Sequence, residues 1–241
     1  MIDLKGKNAI ITGASRGIGK AIATALAKEG VNLMLVSRSL KDLKKVKEDL
    51  QQYAIKIHLI NEDLIHSDAP EKIIKAGAEN LGALDILINN AGLAMSKKLV
   101  DTSIEEWEAH MAVNARAPFL LSTAAIPYLK KSSTAVIINI ASVVGSKGYV
   151  NQGAYTASKH ALMGMTKVLA QEVYAEGIRV HAISPGGVAT DMLTAVKPEL
   201  DTEGLISPEE IADIVVFLIK YRGNAVIDEI ALHRATKPPW Q

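Results

Sequence analysis

Thr12-Gly13-Ala14-Ser15-Arg16-Gly17-Ile18-Gly19 is the stretch whose reading decides the fold. Before it runs Lys7-Asn8-Ala9-Ile10-Ile11-Thr12, a short apolar segment that reads as a strand. After it, Ile18, Ile22, Ala25 and Leu26 recur at helical spacing, and Glu29-Gly30 reads as a stop. The glycines therefore sit between a strand and a helix N-terminus, where free backbone N–H groups and the helix dipole favour an anion. Gly13 suits a tight turn, and Gly17 and Gly19 leave room for close backbone approach. Ser15, Arg16 and Ile18 complete the candidate loop. Its G-x-x-x-G-x-G spacing departs from the G-x-G-x-x-G dinucleotide fingerprint. The spacing alone also fits an ordinary turn of small residues; the strand–loop–helix context is what favours a dinucleotide phosphate.

The next apolar run, Val31 to Val36, reads as a second strand, and Ser37-Arg38-Ser39 follows it. Dinucleotide sites selective for NAD commonly hold Asp or Glu at this point, bonded to the ribose 2′-OH. Here no carboxylate stands ready to repel a 2′-phosphate. Arg38 can pair with one and Ser37 or Ser39 can donate to it, with Arg16 approaching from the other side. NADP(H) is the expected cofactor. Arg38 as a solvated charge at a strand end is the alternative.

Far downstream stands Tyr155-Thr156-Ala157-Ser158-Lys159, with Ser142 a short way before it at the end of the apolar run Ser133 to Ala141. Tyr155 and Lys159 are four apart in a helix expected to run to about Ala175, so they share one face. A tyrosine titrating near pH 10 exchanges protons well near neutrality only if its pKa falls by roughly two to three units, or about 3–4 kcal/mol. One cation at about 4 Å supplies on the order of 4 kcal/mol at an effective dielectric of 20. Lys159 is sufficient in magnitude, and an oxidised nicotinamide adds in the same direction. Ser142 can hydrogen-bond a substrate oxygen and orient it. A nucleotide redox cofactor joined to an acid–base group implies hydride transfer to or from a carbonyl.

Together these residues resemble the classical short-chain dehydrogenase/reductase family, from about Leu4 to about Leu218. The shared marks are Thr12 to Gly19, Asn89-Asn90-Ala91-Gly92, Asn114, Ser142, Tyr155, Lys159 and Pro185-Gly186. The resemblance implies an α/β, Rossmann-type three-layer sandwich with a seven-stranded, mostly parallel sheet in a single domain, residues 1–241. It implies Tyr155 as general acid/base and Lys159 on the nicotinamide ribose. Asn114 would hold a water that relays protons from Lys159. Asp63 and Leu64 would border the adenine, and Asn90, Ala91 and Gly92 the adenosine ribose. Pro185, Gly186, Val188 and Thr190 would flank the nicotinamide, with transfer from its pro-S face. NADP-dependent carbonyl reductases are the nearest functional type. A 3-oxoacyl-(acyl-carrier-protein) reductase is an alternative, weakened by Gln171 where such enzymes often carry arginine; a non-catalytic NADP-binding regulator is another, opposed by the filled catalytic positions.

Composition agrees. A chain of 241 residues suits one large domain, and 49% hydrophobic residues suit a buried parallel sheet. Strands are expected near 7–12, 31–36, 55–60, 85–89, 134–141, 178–184 and 226–231, with helices between them. A net charge of +1 gives no reason to expect nucleic acid. With no cysteine and six histidines lacking ligand spacing, no metal site is expected. No apolar run reaches membrane-helix length and no signal peptide is read at the start, so a cytoplasmic location is expected. The segment 190–206 is expected to form a short, irregular substrate lid, with Met192, Leu193, Met95, Val144 and Ala94 facing a small-molecule carbonyl or alcohol substrate. The end of the chain, Lys237 to Gln241, reads either as frayed or as packed on a neighbouring subunit. Apolar residues on more than one helix face, among them Phe119 and Val168, lead us to expect a homotetramer or at least a homodimer.

Overall fold

All seven expected strands form, and they pair in parallel into one sheet in the order β3-β2-β1-β4-β5-β6-β7. They are β1 (Asn8–Thr12), β2 (Asn32–Ser37), β3 (Ile57–Asn61), β4 (Ile86–Asn89), β5 (Val136–Ile140), β6 (Arg179–Pro185) and β7 (Glu229–Leu232). Among the described residues, eight α-helices accompany them: α1 (Gly17–Lys28), α2 (Leu40–Asp49), α3 (Ala69–Leu81), α4 (Ile104–Met111), α5 (Ala117–Leu129), α6 (Gly153–Val173), α7 (Asp191–Val196) and α8 (Pro208–Lys220). The structure is a computed structural model that describes residues 1–196, 199–200 and 202–238.

The inner strands are rich in apolar residues because both faces of the sheet are covered there, as parallel sheets require, whereas the edge strands β3 and β7 are only partly buried. Every residue of β1, β4 and β5 is buried. Alternate side chains enter two cores. Ala9, Ile11, Leu33, Leu35, Ile86 and Ile88 pack with Ile22 and Leu26 of α1 and Ile211 and Val215 of α8. Ile10, Met34, Val36, Leu87 and Ile137 pack on the other face with Ile73 of α3, Leu121 and Leu129 of α5 and Val173 of α6. Strand order reverses between β1 and β4, each of which leads away from the other toward an opposite edge. The crevice outside the carboxyl ends of strands at such a switch point is where open α/β sheets bind ligands.

Three local departures from expectation have physical causes. The last strand begins at Glu229, three residues later than expected, because its pairing with β6 starts at Ala182↔Glu229; Val226 lies exposed before it. The helical segment expected between the fourth and fifth strands is divided by a π-turn at Ala112–Arg116. Pro118, four residues beyond Asn114, has no N–H to give the Asn114 carbonyl, so the α-helical ladder cannot run through this point. The segment 190–206 is more regular than expected: α7 occupies its start, and Val188 bridges Ile206 at its end. Lys197, Pro198 and Asp201 of that segment lie outside the described residues.

Among the described residues no helix is long and apolar enough to cross a membrane. Phe119 and Val168, on α5 and α6, are 50% and 54% exposed, so neither is covered within the chain.

Candidate active site

The glycine loop turns at Gly13 and Gly17, both with positive φ (65° and 53°), a conformation costly for any residue with a Cβ. Gly19 meets a different constraint. A Cβ there would lie 2.2 Å from the Gly13 carbonyl oxygen and 2.5 Å from Asn90 Nδ2, inside the protein. Gly19 does not line the cleft; the close approach it permits is that of the loop's own backbone to α1. We expect Gly19→Ala to destabilise the fold by about 1–3 kcal/mol, the usual cost of overpacking, because a backbone carbonyl cannot swing aside. Urea denaturation measures it, and an unchanged midpoint would refute the packing role.

Thr12 and Asn90 hold this loop against β4. Thr12 Oγ1 donates to the Ile88 carbonyl (3.2 Å) and accepts from the Asn90 and Ala91 amides (3.0 Å each). Asn90 Nδ2 donates to the Thr12 carbonyl (2.9 Å) and the Gly13 carbonyl (3.2 Å). Arg16, at the N-cap of α1, makes no capping hydrogen bond, so the first-turn amides of that helix are left for another acceptor.

The loop forms one wall of a cleft of about 800 Å³ along the carboxyl ends of the strands. Most of the expected residues line it: Gly13, Ser15, Arg16, Gly17, Ile18, Ser37, Arg38, Asp63, Leu64, Asn90, Ala91, Gly92, Ser142, Tyr155, Lys159, Pro185, Gly186, Val188 and Thr190. Asn114, Ser39 and Gly19 do not. Ser39 is occupied as the N-cap of α2: its Oγ accepts from the Asp42 amide (3.3 Å) and bonds Asp42 Oδ2 (2.7 Å). Ser37 Oγ donates to Ser15 Oγ (3.0 Å) and accepts from the Ser39 amide (3.1 Å), joining the end of β2 to the loop. Arg38 faces Asp63 at 3.8 Å. Arg16 is not directed at Arg38's neighbourhood as expected; its Nη1 lies 3.4 Å from Asp191 Oδ2, at the start of α7. Two exposed side chains pair there because α7 brings Asp191 opposite the loop, and such a pair is weak.

Opposite the loop, Tyr155 and Lys159 project from the first turns of α6, and Ser142 ends the segment after β5. Ser142 Oγ donates to the Pro185 carbonyl at 3.4 Å, which ties it to the end of β6. Lys159 is buried, and its Nζ donates to the Ile140 carbonyl at 2.8 Å and lies 5.8 Å from the centre of the Tyr155 ring. Burial alone lowers the lysine to about 8. Tyr155 keeps part of its surface open to the cleft, yet burial pushes its phenol above the ordinary tyrosine value, opposed by a side-chain hydrogen bond with Ser142. That corrects the expected lowering. The lysine is turned toward a carbonyl, and its own charge is disfavoured by burial, so the chain's groups by themselves leave the phenol protonated.

Asn114, in the π-turn, is fully buried. Its Oδ1 accepts from the Leu93 amide (2.8 Å), and its Nδ2 donates to the Leu93 carbonyl (2.8 Å) and to Ser158 Oγ (2.9 Å). Ser158 Oγ in turn donates to the Tyr155 carbonyl (2.8 Å). The amide thus links the segment after β4 to the turn of α6 that carries the tyrosine. Both its hydrogens are used, and the acceptor left over is its main-chain carbonyl, opposite Pro118.

Ala94, Val144, Met192 and Leu193 line the cleft as expected; Met95 instead borders a small separate hollow beside His110. The expectation for the chain end is also corrected as far as Pro238: His233, Arg234, Lys237 and Pro238 line the cleft, and a Cβ on Gly204 would stand 2.4 Å from Thr236 Cγ2. The chain turns back over its own site. Pro239, Trp240 and Gln241 lie outside the described residues. Lys147, Tyr149 and Gln152 also line the cleft and were not singled out from sequence, although they fall between Ser142 and Tyr155, where any loop must pass the site. Nothing local marks Arg234; only the pairing of β7 with β6 brings it there.

This arrangement matches known proteins along nearly the whole chain. The family model for short chain dehydrogenases covers residues 7–201. An uncharacterized oxidoreductase of Staphylococcus aureus is 33% identical over 232 residues, 96% of this chain and 99% of that one. A 3-oxoacyl-(acyl-carrier-protein) reductase of Aquifex aeolicus is 32% identical over 238 residues, 95% and 96% of the two chains. The solved structure of an alcohol dehydrogenase from the archaeon Thermococcus sibiricus, complexed with 5-hydroxy-NADP, superposes with a TM-score of 0.89 at 30% identity, covering 97% of this chain and 98% of that one. With sheet order, glycine loop and tyrosine–lysine helix agreeing with so extensive a sequence match, this chain belongs to the short-chain dehydrogenase family of oxidoreductases.

Proposed function

We propose that this protein interconverts a carbonyl compound and its alcohol with NADP(H), using Tyr155 as general acid/base. The observation that carries this is the placement of Ser142, Tyr155 and Lys159 on the same cleft as an uncapped helix N-terminus and Arg38. The residues fit a phosphorylated dinucleotide. Gly13 and Gly17 keep side chains out of the loop, and the free amides of α1 suit a diphosphate. Arg38, itself exposed and with only a half-buried partner at 3.8 Å, is available to a 2′-phosphate, and Ser37 stands beside it. Asp63 and Leu64 border the adenine end, Asn90 to Gly92 the adenosine ribose, and Pro185, Gly186, Val188 and Thr190 the nicotinamide end. The Thermococcus sibiricus relative, crystallised with an NADP derivative, supports the same cofactor here.

When bound, the dinucleotide supplies or accepts the hydride. The chain's own residues handle the oxygen and the proton. Ser142 orients the substrate oxygen toward the Tyr155 hydroxyl, which donates a proton on reduction and withdraws one on oxidation. Lys159, lowered to about 8, holds the ribose hydroxyls and exchanges protons near neutrality. Asn114 fixes the turn of α6 beneath the tyrosine, and its carbonyl is the acceptor for a relay water.

The cofactor assignment predicts a kcat/KM for NADPH at least tenfold above that for NADH on a small carbonyl panel. Arg38→Asp should reverse or abolish that preference, since a carboxylate repels the 2′-phosphate and accepts from a 2′-OH. Equal values in the parent protein would refute it. The Aquifex aeolicus relative favours one second reading, reduction of a carrier-bound 3-oxoacyl thioester, and adding that thioester to the panel separates the two. Exposed Phe119 and Val168 also support self-association through α5 and α6. Light scattering at micromolar concentration should give a dimer or tetramer mass; a monomer mass would refute it.

A further inference from the structure

The reacting end of the cleft holds two cations with no partner. Lys147 lies on the loop between Ser142 and Tyr155, and Arg234 follows β7. Both are half-buried. Neither side chain makes a hydrogen bond or ion pair among the described residues, whereas Arg16, Arg38 and Lys159 of the same cleft each have an acceptor. Arg16 has Asp191 at 3.4 Å, Arg38 has Asp63 at 3.8 Å, and Lys159 has the Ile140 carbonyl at 2.8 Å. Among the described residues, the acidic ones lining the cleft are Glu62, Asp63 and Asp191. Glu62 and Asp63 follow β3 at the far edge of the sheet from β6 and β7, and Asp191 already faces Arg16.

The two cations reach the site from segments that hold Ser142. Ser142 Oγ bonds the Pro185 carbonyl at 3.4 Å, and the next residue, Gly186, donates its amide to the Leu232 carbonyl at 2.9 Å. A Cβ on Gly187 would stand 3.6 Å from Arg234 Cδ, so the arginine stem lies along the same strand end. Lys147 is five residues beyond Ser142. Lys237, exposed at the rim, adds a third positive charge. The remaining wall is apolar, with Val144, Met192, Leu193 and Val196. Half-burying a charge without a counter-charge is unfavourable, and two in one cleft also repel each other. An oxyanion between them removes both penalties, and a guanidinium pairs with carboxylate or phosphate in a bidentate fork.

We propose that the substrate is an anionic carbonyl compound, whose carboxylate or phosphate group is held by Lys147 and Arg234 while its carbonyl oxygen faces Ser142 and Tyr155. This rests on the oxidoreductase reading above for the carbonyl, and on the two cations for the anion. Neutral ketones would enter the same cleft without that anchor.

Matched pairs test it. With NADPH, kcat/KM is measured for 4-oxopentanoate against its methyl ester, and for dihydroxyacetone phosphate against dihydroxyacetone. A charged member favoured at least tenfold in either pair is expected, and the pair that shows it identifies carboxylate or phosphate. Lys147→Met and Arg234→Met, which keep the stems, should each reduce that ratio at least fivefold, and Lys147→Arg and Arg234→Lys should restore most of it. Ratios near one in both pairs, or ratios the Met variants leave unchanged, overturn the proposal while leaving the oxidoreductase reading intact. Calorimetry of the same four compounds, with and without NADP, covers the case in which none is turned over. Anion binding lost in the Met variants then upholds the anion site and counts against the carbonyl chemistry. Binding of no anion overturns the anion site.

Discussion

Tyr155→Phe will abolish measurable turnover, a loss of about 10²–10⁴-fold attributable to the missing general acid alone, while NADPH still binds within about threefold of the parent. The substitution keeps the ring beside Lys159 Nζ, 5.8 Å from its centre, and keeps the main-chain carbonyl that accepts from Ser158 Oγ. Only the hydroxyl and its hydrogen bond with Ser142 disappear. Fluorescence titration of NADPH reads binding, and single-turnover absorbance reads chemistry. Activity within tenfold of the parent would place the acid/base group elsewhere. Burial holds the unaided phenol above its ordinary value, which keeps it in the protonated form that donates in the reductive direction; positive charge near the hydroxyl would favour the opposite direction.

Lys159→Met should separate activity from stability. The lysine titrates near 10.5 when exposed and near 8 in the folded chain. Between those values the unfolded chain binds more protons, so stability rises with pH through that window, and the whole charging penalty stands below 8. At pH 7 the penalty is on the order of 3 kcal/mol, taking about 1.4 kcal/mol per pKa unit. Losing the hydrogen bond to the Ile140 carbonyl offsets about 1 kcal/mol, so the variant should be about 2 kcal/mol more stable at pH 7. Above pH 10 Tyr155 acts in the opposite sense, because the folded chain keeps its proton longer than the unfolded one. The same variant should lose rate by about 10²-fold or more and bind NADPH more weakly, since the cation that serves the tyrosine and the ribose is gone. Urea denaturation of both proteins at pH 7 and pH 10 checks the stability claim. A parent protein whose stability does not rise between them, or a variant less stable at pH 7, would contradict it. A functional group that destabilises its own fold is the usual form of a stability–activity conflict.

Much of the site was legible before the fold. Gly13 announced a tight turn and adopts a positive φ; Gly17, read as leaving room for close approach, adopts one too. The four-residue spacing of Tyr155 and Lys159 placed them on one face of a helix, and they share it. Apolar runs marked all seven strands; in the inner ones burial on both faces leaves little polar alternation, while β7, alternately exposed, begins three residues later than its run suggested. Pro118 was a legible but unread signal for the π-turn at Asn114, since a missing N–H is a property of the residue itself.

Most of what escaped depends on partners distant along the chain, with Ser39 a local exception. Ser39 looked free and is engaged by Asp42, but the direction of Arg16 depends on Asp191, 175 residues away. Gly19 is demanded by the backbone of Gly13 and the side chain of Asn90, not by a ligand. Arg234 joins Lys147 only because β7 lies beside β6 and ends near Gly186 and Gly187. Sequence by itself determined the strands, the turn at Gly13 and the shared helix face of Tyr155 and Lys159, because backbone conformation, hydrophobic period and helical spacing are local quantities. Tertiary structure decided which charges are paired, how deeply Lys159 is buried and which way the Tyr155 phenol is shifted, because solvation and Coulomb interaction depend on every neighbour in space.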